Sequence, residues 1–267
     1  MDNLLEINNL NYSYKNKSIF TNLQISIKPN TTNLILGANS SGKTTLLRLV
    51  SGILPTNNFI NLNGISLNKK TYRDYLLSIG VVFYDDNNKF LFEKVADELT
   101  FPLENLNYNK EQIVNMANEI VKLLSLQNCM YKNINELTTF EQVKVLLGVS
   151  IIHKPKIILL DNILSKLNEN ELKKIFKILN KIKKEVTICI TSTDMNSILN
   201  FDNVIVISDG KTLIEGKPKD VLAHDNELAK AGLVIPTMID LSLKLSFYNL
   251  VDEIITDVDG MVDKLWK

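Results

Sequence analysis

Cysteine and histidine are scarce in this sequence of 267 residues, which holds two of each. Cys129 and Cys189 stand far apart and in none of the spacings typical of zinc sites, so we expect no metal centre built on thiolates. So few cysteines are typical of a reducing compartment. His153 and His224 belong to no cluster of metal-ligating or catalytic residues, and we expect them to be structural or surface residues.

Net charge is also missing, because 30 Lys and Arg balance 30 Asp and Glu. No overall field attracts the chain to nucleic acid or anionic lipid, and we expect no nucleic acid partner. No apolar run approaches the ~20 residues that cross a bilayer, and no signal peptide is visible at the N-terminus. The hydrophobic content of 45% is ordinary for a globular protein with a proper core.

The sequence does contain a glycine-rich loop of the form G-x-x-x-x-G-K-T at residues 37–44. A predicted strand at 32–36 precedes this loop and a predicted helix at 44–50 follows it, which is the context of a Walker A loop. Such a loop turns its backbone N–H groups and a helix N-terminus toward phosphate oxygens. We therefore predict a bound nucleoside triphosphate, with Lys43 at the outer phosphates and the Thr44 hydroxyl on Mg²⁺. The predicted phosphate-binding residues are Gly37, Ala38, Asn39, Ser40, Ser41, Gly42, Lys43, Thr44 and Thr45.

Tyr14 is a candidate for contact with the base of the nucleotide. It ends a predicted strand at 10–14, which forms an antiparallel edge with strands at 4–7 and 23–27. From there its ring would stack on a purine. The alternative, which position alone favours, is a half-buried tyrosine of the sheet.

The rest of the chain alternates strands and helices, with one interruption. Strands are predicted at 59–62, 79–83, 156–161, 186–191 and 204–208, whereas strand signals nearly vanish between 95 and 148. A helical insertion is therefore expected within an α/β domain. The apolar strand at 156–161 ends in Asp161, at the carboxyl edge where parallel sheets bind ligands.

A helical segment is predicted to follow Pro218 and to continue to the end of the chain. Pro236 is predicted at the first position of a helix. An apolar stripe follows at helical spacing, formed by Met238, Leu241, Leu245 and Tyr248.

With the glycine loop, the acid-ended strand and the helical insertion, the sequence resembles the ATP-binding cassette (ABC) proteins along its whole length. The resemblance implies an α/β P-loop NTPase fold of the ABC type, with an antiparallel β edge, an inserted helical subdomain and a C-terminal helical extension. The expected nucleotide-binding domain spans 1–222 and contains the helical subdomain at about 86–150, and the extension spans 223–267 as a dimer contact. Asp161 corresponds to the Walker B acid, which would hold Mg²⁺ together with Thr44.

Two stretches support a narrower resemblance. Residues 83–105, F-Y-D-D-N-N-K-F-L-F-E-K-V-A-D-E-L-T-F-P-L-E-N, are similar to a segment of the ATPase (A) components of energy-coupling-factor importers, the micronutrient group that includes cobalt uptake. Residues 231–236, A-G-L-V-I-P, resemble the start of the C-terminal extension in that group. This resemblance implies two A components at the cytoplasmic face of the membrane, under a transmembrane T component and a substrate-binding membrane S component.

Three positions depart from the family at its catalytic centre. Asn162 stands where the family carries a catalytic Glu, Thr193 where it carries a His that contacts the γ-phosphate, and Tyr84 where it carries the Q-loop Gln. An amide positions water but takes no proton, and loss of a general base typically lowers a rate by ~10²–10⁴. Asn168 also replaces the usual Asp of the following loop.

The signature that faces the ATP of a partner subunit departs as well, reading L-T-T-F-E at 137–141 instead of L-S-G-G-Q. Thr138 keeps the hydroxyl. Thr139 and Phe140 replace glycines that let backbone N–H groups approach the γ-phosphate of the partner's nucleotide. Glu141 adds a negative charge beside that anion.

We therefore expect an ATP-binding subunit whose own hydrolysis is weak, in a heterodimer with a second, active A component. Two alternatives remain open: a working ATPase in which another group supplies the base, and an ATP-binding scaffold without turnover. The transported substrate stays unnamed, because the S component would recognise it.

Overall fold

Two β-sheets organise the chain, whose computed structural model describes residues 3–15, 17–56, 59–83 and 90–266. The smaller sheet is antiparallel in the order β2-β1-β4-β5. Its strands are β1 (Leu5–Tyr14), β2 (Lys17–Ile27), β4 (Ile60–Leu62) and β5 (Ile65–Ser66). The predicted pair at 4–7 and 10–14 forms a single strand, because β1 continues through Asn9 with a shift in register between Ile7 and Leu10.

The larger sheet has six strands in the order β10-β9-β3-β8-β7-β6. They are β3 (Thr32–Leu36), β6 (Ile79–Phe83), β7 (Ile157–Asp161), β8 (Thr187–Ser192), β9 (Asn203–Ser208) and β10 (Lys211–Gly216). All neighbours pair in parallel except β9 and β10, which form a hairpin. The strands at 79–83, 156–161, 186–191 and 204–208 are thereby confirmed to within one residue.

The larger sheet separates two apolar cores. Successive side chains of β7 point to opposite faces, as in any strand. Ile158 and Leu160 join the core that holds the helical segment, whereas Ile157 and Leu159 join the core under the antiparallel sheet. This burial on both faces explains why β7 is a continuous apolar run.

Ten α-helices lie among the described residues, in addition to two short 3₁₀ helices at Ile134–Glu136 and Ile198–Asn200. The α-helices are α1 (Lys43–Val50), α2 (Tyr72–Leu77), α3 (Val95–Asn105), α4 (Lys110–Leu124), α5 (Thr139–Ile151), α6 (Glu169–Ile182), α7 (Pro218–Leu222), α8 (Asp225–Lys230), α9 (Thr237–Phe247) and α10 (Val258–Trp266). The predicted interruption of strand structure is confirmed, since α3, α4 and α5 follow β6 and precede β7 in the sequence and pack against one another. None of these helices, within the described ranges, has both the length and the apolar content that a bilayer crossing requires.

The C-terminal helices correct two details of the prediction. Pro236 has a ψ of 137° and is the N-cap residue of α9, so the helix begins one residue later than expected. The stripe is also wrong at Leu241 and Tyr248, which are exposed, while Ser242 is buried. Ser242 tolerates burial because its hydroxyl donates to the Ile255 carbonyl and accepts from the Ile255 N–H.

Candidate functional site

The glycine loop connects β3 to α1, and its two glycines are required by space. A Cβ at Gly37 would lie 2.4 Å from Ser41 Oγ and 2.7 Å from the Ile207 carbonyl oxygen. Gly42 has a φ of 99°, and a Cβ there would lie 2.8 Å from the Phe20 ring. The loop is therefore held tightly against β2 and β9, which fixes where its N–H groups point.

The N-terminus of α1 is left open by its own chain. Gly42 is the N-cap residue and makes no side-chain cap among the described residues, and the first turn carries no acidic side chain. Helix N-terminal N–H groups lack partners within the helix and carry partial positive charge. They are thus available to an anion in front of the loop.

Lys43 folds back across the loop. Its ammonium donates to the Gly37 carbonyl at 2.7 Å and to the Ala38 carbonyl at 2.9 Å. Burial lowers the pKa of Lys43, and the charge of Asp161 partly offsets this. Because an ammonium held by neutral carbonyls is poorly compensated for its lost hydration, an incoming phosphate would stabilise it strongly.

Thr44 and Asp161, the two residues that the sequence analysis assigned to Mg²⁺, contact each other directly. The Thr44 hydroxyl donates to Asp161 Oδ2 at 2.7 Å. Asp161 ends β7, and the parallel pairing of β7 with β8 and of β8 with β3 places it beside the glycine loop. Hydroxyl and carboxylate oxygens are the hard ligands that Mg²⁺ prefers, with phosphates supplying others, so these residues fit the ion.

Asn162 and Thr193 line a cleft together with Lys43, Thr44 and Asp161, and this cleft has a volume of about 430 Å³. Asn162 has a φ of 51°, in the left-handed region that Asn tolerates better than most residues. Its Oδ1 is buried and makes no hydrogen bond with any residue that the structure describes. Neither an amide nor a threonine hydroxyl acts as a base at neutral pH, so neither Asn162 nor Thr193 is able to take a proton from water.

Three residues that the sequence analysis did not single out belong to the site. Lys17 and Ile19 line the cleft from alternate positions of β2. Thr191 donates to Asp161 Oδ1 at 2.6 Å and accepts from the Asn162 N–H at 2.9 Å. Thr191 could have been found from the sequence as a polar residue near the end of an apolar strand, whereas no sequence motif indicates Lys17.

Tyr14, the candidate for contact with the base, does not line the cleft. Tyr14 is 39% exposed and is absent from the described residues that line the cleft. Its ring stands edge-on to Tyr12, with the centroids 5.1 Å apart. Tyr84 lies outside the described residues.

The signature residues lie at the N-terminus of α5, away from the lining of the cleft. Thr138 and Glu141 form a capping box: the Glu141 N–H donates to Thr138 Oγ1 at 3.2 Å and the Thr138 N–H donates to Glu141 Oε2 at 2.9 Å. The Thr138 hydroxyl also donates to Glu141 Oε2, and the Cys129 thiol donates to Oε1. These bonds, first that of the Thr138 N–H, hold the pKa of Glu141 below its ordinary value.

Two further departures, Phe140 and Asn168, also make contacts within the chain. Phe140 has Lys144 Nζ at 5.2 Å and Lys174 Nζ at 5.9 Å from its ring centroid, at the distance of cation–π contacts. Thr139 is exposed at the first position of α5. Asn168 caps α6, where its side chain accepts from the Glu171 N–H at 3.1 Å.

Comparison with known proteins agrees with this geometry. The ABC transporter family matches residues 20–165. The energy-coupling factor transporter ATP-binding protein EcfA of Pediococcus pentosaceus is 31% identical over 88% of this chain and 86% of its own length. EcfA1 of Ligilactobacillus salivarius is also 31% identical, over 88% and 85%.

Among solved structures, CbiO1 from Clostridium perfringens, part of the ABC transporter complex CbiONQ, superposes with a TM-score of 0.77. It is 26% identical, over 87% of this chain and 95% of its own. The predicted ABC-type fold and the resemblance to energy-coupling-factor proteins are confirmed. The chain belongs to the ABC transporter family, among the ATP-binding proteins of energy-coupling factor transporters.

Proposed function

We propose that this chain is an ATP-binding subunit of an energy-coupling-factor importer, in which ATP-driven closure of two A components powers uptake of a vitamin, metal or other micronutrient. One observation carries the proposal: the group formed by Lys43, Thr44 and Asp161 is complete, while Asn162 and Thr193 beside it offer no general base. The chain is thus equipped to hold ATP and poorly equipped to cleave it.

The phosphate groups of ATP would lie against the open N-terminus of α1. Lys43 would exchange its bonds to loop carbonyls for bonds to the outer phosphates. Thr44 and Asp161 would hold Mg²⁺, which when bound offsets phosphate charge. Lys17 and Ile19 extend the wall of the cleft toward the β1–β2 hairpin, where Tyr14 would contact the base.

Hydrolysis in this site would be weak. A general base must reach the attacking water and accept its proton in the transition state. Asn162 stands next to the metal-binding Asp161, where such a base would be placed, and its amide accepts no proton. Thr193 would offer one neutral hydrogen bond to the γ-phosphate.

The signature residues weigh against a homodimer. In the crosswise arrangement that the family implies, residues 138–141 would face the nucleotide of the second subunit. Glu141 carries its charge at the N-terminus of α5, and the Thr138 hydroxyl already donates to that carboxylate. In a homodimer, both nucleotide sites would lack a general base and would face a signature whose N-terminus is already capped by Glu141. Such a dimer would hydrolyse little ATP, so we expect an active second A component.

The assembly would place the chain at the cytoplasmic face of the membrane, under a T component and an S component. Residues 223–267 would form an extension of the nucleotide-binding domain (1–222), with the helical subdomain at about 86–150. Phe247 and Tyr248, at the end of α9, are 82% and 70% exposed. Exposed aromatic side chains are typical of interface residues, and we assign the extension a contact with the second A component.

Single-turnover hydrolysis by the purified complex tests this proposal. The catalytic glutamate of the second A component is replaced by Gln, so that only the site of this chain is able to react. We expect ATP to be bound and to remain uncleaved on the timescale of wild-type turnover. Brisk cleavage would show that another group serves as the base and would contradict the impaired site.

A further inference from the structure

Thr191 connects the two functional parts of the cleft. It is paired with Asp161 in the register of β7 and β8, so that the two side chains stand side by side on one face. Its single hydroxyl donates to Asp161 Oδ1 at 2.6 Å and accepts from the N–H of Asn162 at 2.9 Å. Its one donor therefore goes to the proposed metal-binding carboxylate, and one of its two acceptor sites goes to the residue that follows it.

The side chain of Thr191 is buried at the end of an apolar stretch of β8. Its side chain is 1% exposed, and a buried hydroxyl costs stability unless it is hydrogen-bonded. The three residues before it, Ile188 to Ile190, are apolar and fully buried. The hydroxyl thus stands at the point where the apolar strand meets the cleft.

Asp161 is held at both oxygens by hydroxyl groups. Thr44 donates to Oδ2 and Thr191 donates to Oδ1, so the plane of the carboxylate is fixed from two sides. Thr44 would turn a lone pair to Mg²⁺, which leaves Thr191 as the partner that orients the carboxylate without touching the ion. Outer partners of this type orient ligands and change metal affinity by about 10- to 100-fold when they are removed.

We propose that Thr191 is a positioning residue that sets the Asp161 carboxylate for Mg²⁺ and holds the Asn162 backbone in its left-handed conformation. The proposal rests on the proposed function, since it concerns the metal of bound Mg·ATP. It predicts that Thr191 acts on the metal-dependent part of ATP affinity and leaves the metal-free part unchanged.

The experiment compares the ATP dissociation constant of the purified full-length chain in Mg²⁺ with that in EDTA, by calorimetry. Thr191→Val keeps the shape of the side chain and removes the hydroxyl, and Thr191→Ser keeps the hydroxyl. We expect Thr191→Val to reduce the gain in affinity that Mg²⁺ gives by about 10-fold, and Thr191→Ser to stay within about two-fold of the wild-type gain. Affinity in EDTA should be equal in all three proteins.

Thr187→Val is the matched control. Thr187 lies at the other end of β8, is also 1% exposed, and accepts from the Asn30 N–H at 2.8 Å. Its loss costs a buried hydrogen bond of the same kind but should leave the gain from Mg²⁺ unchanged. If Thr191→Val does not fold, Thr191→Ala carries the same test.

Two failures are distinguishable. A Thr191→Val chain with the wild-type gain from Mg²⁺ would overturn the positioning role while ATP binding by the wild type stood. A wild-type chain that bound no ATP under either condition would contradict the proposed function itself, and the positioning role with it. A loss of the gain in Thr187→Val equal to that in Thr191→Val would show a general effect on stability and would also overturn the proposal.

Discussion

Two helix N-termini of this molecule carry opposite chemistry. At α1, Gly42 leaves the N-terminal N–H groups without a side-chain cap within the described residues, and Lys43 adds a positive charge. At α5, Thr138 and Glu141 close the terminus with a capping box, and the Glu141 carboxylate sits where an anion would otherwise approach. Both ends would face a nucleotide in the ABC arrangement.

The difference shows how one physical feature serves two purposes. A helix N-terminus stabilises negative charge whether the charge belongs to a ligand or to the chain itself. Glycine at the cap of α1 leaves that capacity available to a phosphate, whereas Glu141 uses it internally. We infer a subunit that binds its own ATP and contributes weakly to the site of its partner.

The largest expected effect would come from placing a general base beside the nucleotide that the open N-terminus of α1 would bind. Asn162→Glu should raise single-turnover cleavage in the site of this chain by about 10²-fold, at the lower end of what a general base contributes. The measurement uses the complex whose second A component lacks its catalytic glutamate. Asn162→Gln is the matched control, because Gln has the length of Glu, meets the same strain at a φ of 51° and takes no proton. Equal rates for the two variants would show that the missing base is not what limits this site.

Removal of the positive charge at the open end ranks second. Lys43→Ala should weaken ATP binding by about 10- to 100-fold, since hydrogen bonds to charged groups contribute about 1.5–3 kcal/mol. Calorimetry on the lone chain measures it. Lys156→Ala removes an exposed lysine just before β7, at the opposite end of the sheet, and should leave the affinity unchanged. An unchanged ATP affinity in Lys43→Ala would contradict the proposed contact between Lys43 and the phosphates.

Opening the closed end by deletion of its cap should cost stability. Thr138→Ala removes an N-cap side chain, which typically lowers the free energy of unfolding by about 1 kcal/mol. In a domain of this size that corresponds to a fall in Tm of about 2–4 °C. Thr139→Ala is the control, because Thr139 is exposed and lies outside the capping box. Equal Tm values for the two variants would show that the Thr138 side chain does not stabilise the N-terminus of α5.

Opening the closed end by charge alone is a smaller change. Gln also forms a capping box, so Glu141→Gln should keep α5 intact while it removes the negative charge. We expect ATP in the site of the second A component to bind about 2- to 5-fold more tightly, as the dipole term of 0.3–1 kcal/mol implies. The assay is ATP binding by the assembled complex, with the lone chain as control. Weaker binding would mean that Glu141 itself assists the partner's nucleotide.

Acid should also remove the charge of Glu141, and with it the stability that this charge contributes to the folded chain. The folded-state pKa of Glu141 lies below the ordinary value of 4.5, so its contribution to stability is present above the ordinary pKa and is lost as the pH falls through the lowered pKa. Denaturant unfolding between pH 6 and pH 3 (a range of about three units around that value) should show a steeper loss for wild type than for Glu141→Gln. Parallel curves would contradict the assignment.

Much of this architecture follows from local patterns. The glycine loop, the strands at 79–83 and 156–161 and the helical insertion between them are predictable because periodicity and glycine spacing are local signals. Asp161 was predictable because it ends an apolar strand.

The remainder depends on contacts between distant parts of the chain. Thr191 meets Asp161 only through the register of two strands 30 residues apart in sequence. Lys17 reaches the cleft because β2 packs beside the glycine loop, and no sequence motif indicates that contact. The capping role of Glu141 was missed because family comparison presents it as a departure, although T-x-x-E is itself a cap signal.

ATP binding and steady-state turnover, measured on the purified chain alone and again with its co-purifying second A component, test the central claim most directly. The account predicts tight Mg·ATP binding with negligible turnover by the lone chain, and turnover that emerges only with the partner. Substantial turnover by the lone chain would contradict it, because Asn162 and Thr193 would then belong to a working catalytic site.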